Sequence, residues 1–525
     1  MPQVKVIAKI RRRRIDIYNE FTTLLLELYQ LKSVLALLDW DTQVNMPEKG
    51  AQRRGETVAY LAGLLHNKFI SREFGKLLKS VKKLSQEGKL DEKQSAVARE
   101  VSREFAREKK LPEKHVRELA QLTSEAHQVW VRARRENKFR FFLPYLERII
   151  DLKRREAECV GYRQSPYDAL LDTYEPGAKA AEIDKIFTDL KEFLVPFLKK
   201  IQSDPLREAS QIGLKKPKIR ILRGNFPIDK QQELGRMVAE ALGFDFTAGR
   251  IDQAVHPFAT NFHPEDVRIT TRFDTRDLFY SLMSTIHEVG HALYEQGLPV
   301  ENFGTPLAES ISLGIHESQS RVWENQVGRS LPFWKYFYPT LRRKFPQPFG
   351  KIKLEDFHRA LNSVRPSLIR TEADEVTYNL HIILRFELEK ALIEGEITPA
   401  ELPKLWKKKM KDYLGIVPKT DREGVLQDIH WSAGLFGYFP TYTLGNLYSA
   451  QFYAAAKLSN PGLESQFSRG KFAKFRNWLK LNIHIHGKFY SADQLCKKIT
   501  GKPLSAKYFT DYLASKYSQI YKLSD

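Results

Sequence analysis

The sequence predicts a mainly α-helical fold in which strand is a minor component. Apolar residues recur every three or four positions from residue 15 to about 140, at 178–203, and again at 355–525. This spacing places apolar side chains on one face of a helix. Two short segments, 218–222 and 266–273, are the strand candidates, and the second alternates in polarity and is rich in β-branched residues.

The helices of the first part are predicted to be long and amphipathic. The segments 24–28 and 34–38 supply apolar faces, whereas 80–138 is strongly charged with an apolar residue at every third or fourth position. Proline fits the first position of a helix because its missing N–H would have no partner there. Pro112 is therefore expected to begin a helix.

The middle of the chain is predicted to carry a strand followed by two helices. The strand at 266–273 precedes an apolar, helix-competent stretch at 278–294, which Gly297 and Pro299 should end. The next helix is expected at about 306–327. Farther along the chain, two positions are expected in loops: Pro440 and Gly445.

Composition indicates a globular protein with a sizeable core. Of the 525 residues, 42% are hydrophobic, which is the usual share for such proteins. The sequence contains no linker-like Gly/Ser/Pro-rich stretch, no internal repeat and no low-complexity tract. Length alone would suit two to four domains, whereas the absence of linkers agrees with a single one.

Charge and cysteine usage narrow the class of protein. Cys159 and Cys496 are too few for a disulfide framework. We find neither a secretory signal pattern nor a run of 18 apolar residues, so a cytoplasmic location without a membrane partner is expected. The net charge of +21 would suit a nucleic-acid-binding protein. The basic residues are scattered without a nucleic-acid motif, which favours solvated helix faces and no specific nucleic-acid partner.

The most informative motif is His287-Glu288-Val289-Gly290-His291, an H-E-x-x-H. Residues four apart on a helix have Cβ atoms about 5–6 Å apart on one face, so His287 and His291 can share one Zn²⁺ or similar ion. Glu288 lies where it can take a proton from the attacking water. The motif predicts a metal-dependent peptide hydrolase. Two surface histidines are the alternative, and the apolar flanks argue against it.

A catalytic zinc site needs a third protein ligand, and Glu317 is the best candidate downstream. His316 competes with it, but adjacent helical positions point about 100° apart, so only one of the two can face the ion. A carboxylate would complete the His₂Glu ligand set of known zinc peptidases. A solvated helix position is the alternative for Glu317.

Further motifs surround the H-E-x-x-H in a fixed order. They are His256-Pro257-Phe258, Asp266-Val267-Arg268-Ile269-Thr270, His316-Glu317-Ser318-Gln319, Ile369-Arg370-Thr371-Glu372-Ala373-Asp374 and Gly424-Val425-Leu426-Gln427-Asp428-Ile429-His430-Trp431. Flanking matches are Leu38-Asp39-Trp40-Asp41, Met46-Pro47, Tyr174-Glu175-Pro176-Gly177 and Asn482-Ile483-His484. With these motifs the chain resembles the thermostable carboxypeptidase (Taq) family of metallocarboxypeptidases over nearly its whole length.

This resemblance implies a metallocarboxypeptidase catalytic domain over 1–525 that removes single residues from peptide C-termini with broad specificity. It implies one zinc ion per chain, with cobalt as the alternative ion, and a homodimer. It also implies a large helical two-lobed unit with a deep groove and a small β-sheet beside the metal-binding helix. An endo-acting zinc oligopeptidase is the alternative activity, and a catalytically inactive relative is disfavoured because Glu288 and the metal ligands are intact.

The oxyanion that forms on the substrate carbonyl needs hydrogen-bond donors. His430 lies in a matched motif, and Tyr438 follows it in Gly437-Tyr438-Phe439-Pro440. These two residues are the expected donors, with Tyr442 as the rival of Tyr438. Packing in the core or at a rim is the alternative for either tyrosine.

An exopeptidase must recognise the free C-terminal carboxylate, which arginine binds with paired hydrogen bonds. Arg370 is expected to bind it and Arg268 to limit how far substrate extends past the cut, and these two roles are interchangeable. An arginine in an ion pair with Asp374 or Asp266 is the alternative. His256 is expected to shape the substrate groove.

Ligand histidines usually donate their second N–H to a carboxylate or a carbonyl. In related zinc peptidases an aspartate often follows the ligand glutamate by four positions, where this chain has Arg321. Asp374, Glu375 and Asp428 are equal candidates for the partner of the histidines.

Overall fold

The computed structural model describes residues 2–203 and 219–523, and helices dominate both ranges. Within these ranges the α-helices are α1 (Pro2–Val44), α2 (Ala51–Phe69), α3 (Arg72–Gln86), α4 (Glu92–Lys110), α5 (Glu113–Glu136), α6 (Phe139–Val160), α7 (Pro166–Leu171), α8 (Ala180–Gln202), α9 (Ile228–Leu242), α10 (Leu278–Glu295), α11 (Leu313–Arg321), α12 (Leu331–Lys344), α13 (Pro346–Phe349), α14 (Leu354–Leu361), α15 (Tyr378–Glu394), α16 (Leu402–Leu414), α17 (Pro440–Ser459), α18 (Leu463–Phe467), α19 (Ala473–Asn482), α20 (Ala492–Thr500) and α21 (Lys507–Tyr521). The strands are β1 (Gly249–Gln253), β2 (Ala259–His263) and β3 (Asp266–Thr271). The mainly α fold with a small sheet is confirmed.

The chain forms two compact units, each built from three chain segments. The sheet unit comprises Met1–Lys110, Phe226–Ile311 and Gly470–Ser491. The helical unit comprises Leu111–Asn225, Ser312–Arg469 and Ala492–Asp525. The single catalytic domain over 1–525 stays a prediction.

The sheet has the order β1-β3-β2, with β1 parallel and β2 antiparallel to β3. Val267 and Ile269 of β3 are fully buried, so the period-two alternation identified the strand correctly. The hydroxyl of Thr271 donates to the carbonyl of Ser281 on α10 at 3.3 Å. This contact seats the H-E-x-x-H helix against the central strand of the sheet.

The first helices of the sheet unit enclose a separate apolar cluster. Phe21, Leu25 and Leu28 of α1 pack there with Phe74 of α3 and Val97 of α4. Among the described residues, one segment of α1, Asp16–Val44, is long and apolar enough for a candidate membrane span by length and composition alone. Packing in this cluster accounts for part of its apolar surface, and the expected lack of a membrane partner stays a prediction.

The core of the helical unit is centred on α15 and α17, which pack against each other. Leu380, Ile382 and Leu384 of α15 are fully buried. Helix α17 also packs along α11. The candidate residues of α11 and of the start of α17 are therefore carried by closely packed helices.

Several predicted boundaries are confirmed. Helix α5 follows Pro112, whose backbone is extended. Helix α8 covers nearly all of 178–203, and α10 ends at Glu295, just before Gly297.

The strand predicted at 218–222 is wrong. Ile219–Leu222 forms a 3₁₀ turn, and Lys218 lies outside the described residues. The hydrogen bonds of a 3₁₀ turn are local and need no partner strand.

The helix predicted at 306–327 begins later than expected. Pro306–Ala308 forms a separate 3₁₀ turn. Helix α11 starts at Leu313, because the hydroxyl of Ser312 accepts from the backbone N–H of Ile315 at 3.1 Å and caps the helix there. A π-helix, Val322–Gly328, continues from its end.

The loops predicted at Pro440 and Gly445 are also wrong, since both residues belong to α17. Pro440 occupies the first position of the helix, where it needs no N–H partner. Gly445 lies in the second turn.

Candidate active site

Helix α10 carries the H-E-x-x-H. Its start is fixed by the Asp277 carboxylate, which accepts from the backbone N–H groups of Phe279 and Tyr280 at 3.1 and 3.2 Å. The rings of His287 and His291 lie one turn apart, with centroids 4.9 Å from each other. Most of the helix is buried, including Glu288, which is 6% exposed. The helical period therefore sets both imidazoles on one face.

Helix α11 holds Glu317 in a fixed orientation. The Nε of Arg321 donates to Oε1 of Glu317 at 2.6 Å, and the Ser320 hydroxyl donates to Oε2 at 3.2 Å. Arg321 also donates to Glu324 at 3.2 Å. Burial opposes the charge of Arg321, but the two glutamates outweigh it and hold the pKa of the guanidinium above its usual value. The arginine that stands in place of the expected aspartate thus binds the carboxylate of the candidate ligand Glu317.

Gly445 of α17 gives Glu317 the space that it occupies. A Cβ at position 445 would lie 2.6 Å from the Cβ of Glu317 and closer still to its Cγ. A real side chain does not fit at that distance. The glycine that sequence reasoning placed in a loop is therefore a close-packing position beside the candidate ligand.

His287, His291 and Glu317 each offer one ligand atom, and these three atoms all lie within 4.8 Å of one another. Two imidazole nitrogens and one carboxylate oxygen match the His₂Glu set of catalytic zinc sites. The group contains Glu317 rather than its competitor His316. The donor set fits a divalent metal ion.

A second group of candidate residues surrounds His430. Its Nε2 lies 3.2 Å from the hydroxyl of Tyr442, and the rings of Tyr438 and Tyr442 have centroids 5.4 Å apart. Burial, aided by Arg370, lowers the pKa of His430 to about 3. Burial raises the pKa of Tyr438 above its usual value. All three side chains are therefore neutral near pH 7 and can donate a hydrogen bond.

Arg370 donates hydrogen bonds to two residues near His430, namely Asp428 and Tyr378. Its Nε donates to Asp428 at 3.0 Å, and its Nη1 donates to the Tyr378 hydroxyl at 3.1 Å. Its guanidinium carbon lies 5.0 Å from the ring centre of Tyr442. Neither hydrogen bond uses Nη2. Arg370 is thus in an ion pair, but with Asp428 and not with Asp374.

Asp428 has a second cationic partner, Arg385, whose Nε donates to it at 2.7 Å. Burial favours the protonated carboxyl, but the two arginines outweigh burial and hold its pKa below the usual range. The fixed charge of Asp428 orients Arg370.

Arg268 and His256 belong to the sheet. Arg268, on β3, donates to both oxygens of Asp266 at 3.0 and 3.2 Å. Its guanidinium carbon also lies 4.4 Å from the ring centre of Trp40. His256 is exposed in the connection between β1 and β2. Arg268 is therefore in the ion pair with Asp266 that was the alternative to substrate binding.

The three residues expected to be partners of the candidate ligand histidines make other contacts. Asp374 accepts from the backbone N–H groups of Arg365, Val376 and Thr377 at 2.8–3.0 Å. Glu375 accepts from the hydroxyls of Tyr512 and Tyr517 at 3.0 and 2.8 Å. Asp428 binds the two arginines.

Sequence reasoning gave no role to two buried carboxyls, Glu175 and Glu389. Glu175 accepts from the Ser312 hydroxyl at 2.9 Å, beside the start of α11. Glu389 accepts from the indole N–H of Trp431 at 2.7 Å. The matched segment Tyr174-Glu175-Pro176-Gly177 was a signal for the first, whereas Glu389 lies in an apolar helix without a motif.

Comparison with known proteins covers nearly the whole chain. A family model described as carboxypeptidase Taq (M32) metallopeptidase matches residues 20–517. Thermostable carboxypeptidase 1 of Thermus thermophilus is 44% identical, over 94% of this chain and 97% of the relative. Carboxypeptidase 1 of Bacillus subtilis is 39% identical, over 96% and 99%. The crystal structure of the M32 carboxypeptidase from Deinococcus radiodurans R1 aligns with a TM-score of 0.92 at 36% identity, over 97% and 100%.

Proposed function

Because the chain belongs to the carboxypeptidase Taq (M32) family of metallopeptidases, it is a metal-dependent carboxypeptidase, and we propose that it releases single residues from peptide C-termini with broad specificity. The observation that supports this most directly is the group of His287, His291 and Glu317 with Glu288 on the same helix. The comparisons support this activity and not that of an endo-acting oligopeptidase.

The metal is proposed to be one Zn²⁺ per chain, held by His287, His291 and Glu317, with Co²⁺ as the alternative. When bound, such an ion polarises the scissile carbonyl and acidifies water. Arg321 and Ser320 support this role because they orient the two oxygens of Glu317. Ligands held by a second set of hydrogen bonds bind metals more tightly.

Glu288 is proposed to act as the general base and acid. It takes a proton from the attacking water and delivers it to the leaving amine. Its position next to His287 on the same helix, where Glu288 itself is 6% exposed, supports this role.

His430 and Tyr438 are proposed to donate hydrogen bonds to the developing oxyanion, with Tyr442 supporting His430. A neutral donor suits this role because it stabilises negative charge without first forming an ion pair with the substrate. The hydrogen-bonding distance between His430 and Tyr442, 3.2 Å, supports the division of roles.

Arg370 is proposed to bind the C-terminal carboxylate of the substrate. Its Nε and Nη1 are held by Asp428 and Tyr378, and neither bond uses Nη2. Arg268 is proposed to limit how far substrate extends past the cut, and His256 to line the groove.

We propose that the protein is a cytoplasmic homodimer. Its two cysteines without disulfide spacing suit a reducing compartment. None of the residues of α2 is buried, and Tyr60 and Leu64 of that helix are 72% and 43% exposed. Such an apolar surface suits a second copy of the chain.

Light scattering tests the dimer. The purified protein is expected to show twice the mass of one chain, and a Tyr60→Ser, Leu64→Ser double variant is expected to show the mass of one. Leu458→Ser removes a single apolar side chain that is 84% exposed, and it should leave the dimer unchanged. A wild-type monomer would refute the assembly without affecting the proposed activity.

The activity is tested by incubating the protein with an unblocked peptide and following products by mass spectrometry. We expect a ladder of single C-terminal losses that a chelator abolishes and that restored Zn²⁺ or Co²⁺ recovers. The same peptide with a C-terminal amide should resist. Internal cuts in the amidated peptide would contradict the proposal.

A further inference from the structure

We propose that residues 167–175, which we call the anchor segment, position two groups of active-site residues through the buried carboxyls of Glu175 and Glu389. Glu175 positions the helix that carries Glu317, and Glu389 positions the segment that carries His430 and Tyr438. Both are positioning residues rather than catalytic ones. This inference rests on the proposed function of those groups.

Glu175 holds the start of α11. Its carboxylate accepts from the Ser312 hydroxyl at 2.9 Å and from the backbone N–H of Gly314 at 3.0 Å. The neighbouring carbonyl of Tyr174 accepts from the backbone N–H of Leu313 at 3.0 Å. The first turn of α11 is therefore bonded to the anchor segment at three successive residues, and Glu317 follows one turn later.

Glu389 of α15 holds the other group. Its carboxylate accepts from the Tyr167 hydroxyl at 2.7 Å, from the indole N–H of Trp431 at 2.7 Å and from the backbone N–H of Gly437 at 3.2 Å. Trp431 directly follows His430, and Gly437 directly precedes Tyr438. One carboxylate thus fixes both ends of the turn between the two candidate oxyanion donors.

The anchor segment also contacts this turn directly. Gly437 has φ of +89°, and a Cβ there would lie 2.8 Å from the carbonyl carbon of Leu170. The rings of Tyr174 and Tyr438 meet edge to face, with centroids 5.2 Å apart. A single short segment therefore bonds to Glu389 through its start, touches the His430–Tyr438 turn with its middle and end, and bonds to α11 with its end.

The chemistry of the two carboxyls suits a positioning role. Glu175 is 3% exposed and Glu389 is fully buried, and among the described residues neither has a salt-bridge partner. Burial raises the pKa of each to about 7. A buried carboxyl without a cation lowers stability unless it is well hydrogen-bonded. Each of these carboxyls accepts two or three hydrogen bonds and so fixes the positions of the groups that donate them.

The inference is tested with Glu175→Gln and Glu389→Gln in the full chain. The amide places a donor where these sites need an acceptor. For Glu175→Gln we expect the affinity for Zn²⁺, measured by competition with a chromogenic chelator, to fall about 10- to 100-fold. For Glu389→Gln we expect kcat to fall by up to about 100-fold, as for small misplacements of reacting groups, with KM and Zn²⁺ affinity unchanged.

Glu387→Gln is the matched control. Glu387 lies on the same helix as Glu389, and its described partners are Lys191, Lys409 and Tyr413. This variant should keep both Zn²⁺ affinity and kcat. Equal losses in all three variants would mean a general effect on the fold and would overturn the inference.

Milder variants decide the question if a glutamine variant does not fold. Glu175→Asp keeps a carboxylate but withdraws it from the Ser312 hydroxyl, leaves Ser312 to cap α11, and should weaken Zn²⁺ binding. Tyr167→Phe removes one donor to Glu389 and should lower kcat. Unchanged values in both would overturn the inference.

His287→Ala distinguishes a failure of the proposed metal site from a failure of the positioning role of Glu175. If it retains Zn²⁺, the proposed metal site is wrong and this inference fails with it. If it loses Zn²⁺ while Glu175→Gln keeps wild-type affinity, the role of Glu175 alone is refuted.

Discussion

Two regions of the molecule carry candidate catalytic groups in different ways. On α10, His287, Glu288 and His291 are placed by the period of one regular helix, whose start is fixed by Asp277. The segment from Asp428 to Tyr442 is irregular before α17 begins, and buried partners distant in sequence hold it.

This difference shows two ways in which the positions of candidate catalytic side chains are determined. A helix fixes the spacing of its side chains through bonds within four residues. The irregular segment depends on Glu389, 42 positions from Trp431, and on Arg370, 58 positions from Asp428. The first arrangement can be predicted from a short motif, whereas the second requires the fold.

The largest effect should come from Glu288→Gln on the regular helix. Loss of the general base is expected to lower kcat by about 10²- to 10⁴-fold, with Zn²⁺ content unchanged because the helix still places its histidines. Release of C-terminal amino acids and metal analysis of the purified variant measure the two quantities. Retained activity would remove Glu288 from the mechanism.

The next effect concerns the irregular segment. Tyr438→Phe is expected to lower kcat by about 10²-fold, as for loss of one oxyanion donor. Tyr442→Phe should cost less, because the Tyr442 hydroxyl lies 3.2 Å from His430 and is expected to support that residue. Steady-state kinetics of both variants decide the order, and a reversed order would assign the donor role to Tyr442.

A smaller effect is expected for Arg370→Lys. Lysine keeps the charge but loses the planar set of donors. Hydrogen bonds to charged groups contribute about 1.5–3 kcal/mol, so kcat/KM on free-acid peptides should fall roughly 10- to 100-fold. The preference for the free acid over the amide should fall with it. If that preference survives unchanged, Arg370 serves only as the partner of Asp428.

The smallest effect is a change of stability with pH at His430. Its folded pKa of about 3 lies below the ordinary value of 6.5, with burial as the main cause. The unfolded chain therefore takes up the proton first, so this contribution to stability is complete above about pH 6.5 and is lost as pH falls toward 3. The difference in Tm between wild type and His430→Gln should narrow from pH 7.5 to pH 5. A constant difference would contradict this.

The sequence allowed the regular parts to be predicted. Alternation identified β3, Pro112 marked the start of α5, and the H-E-x-x-H identified α10 and two candidate ligands. Each of these signals is local, because the period of a helix or a strand can be recognised from residues that are close together in the sequence.

The errors have more than one cause. Ile219–Leu222 had the composition of a strand but forms a 3₁₀ turn. Gly445 was assigned to a loop, yet it lies in α17 beside Glu317. Glu389 has no local motif at all, and only the fold shows that three donors converge on it.

The contact between Gly445 and Glu317 has a consequence for which substitutions the chain tolerates. Glycine within a helix costs about 1 kcal/mol relative to alanine, so in most helices a library of random variants would enrich alanine at such a position. Here the added methyl group would collide with the Cβ and Cγ of Glu317. Selection for activity should therefore retain glycine at 445 even under conditions that reward thermal stability.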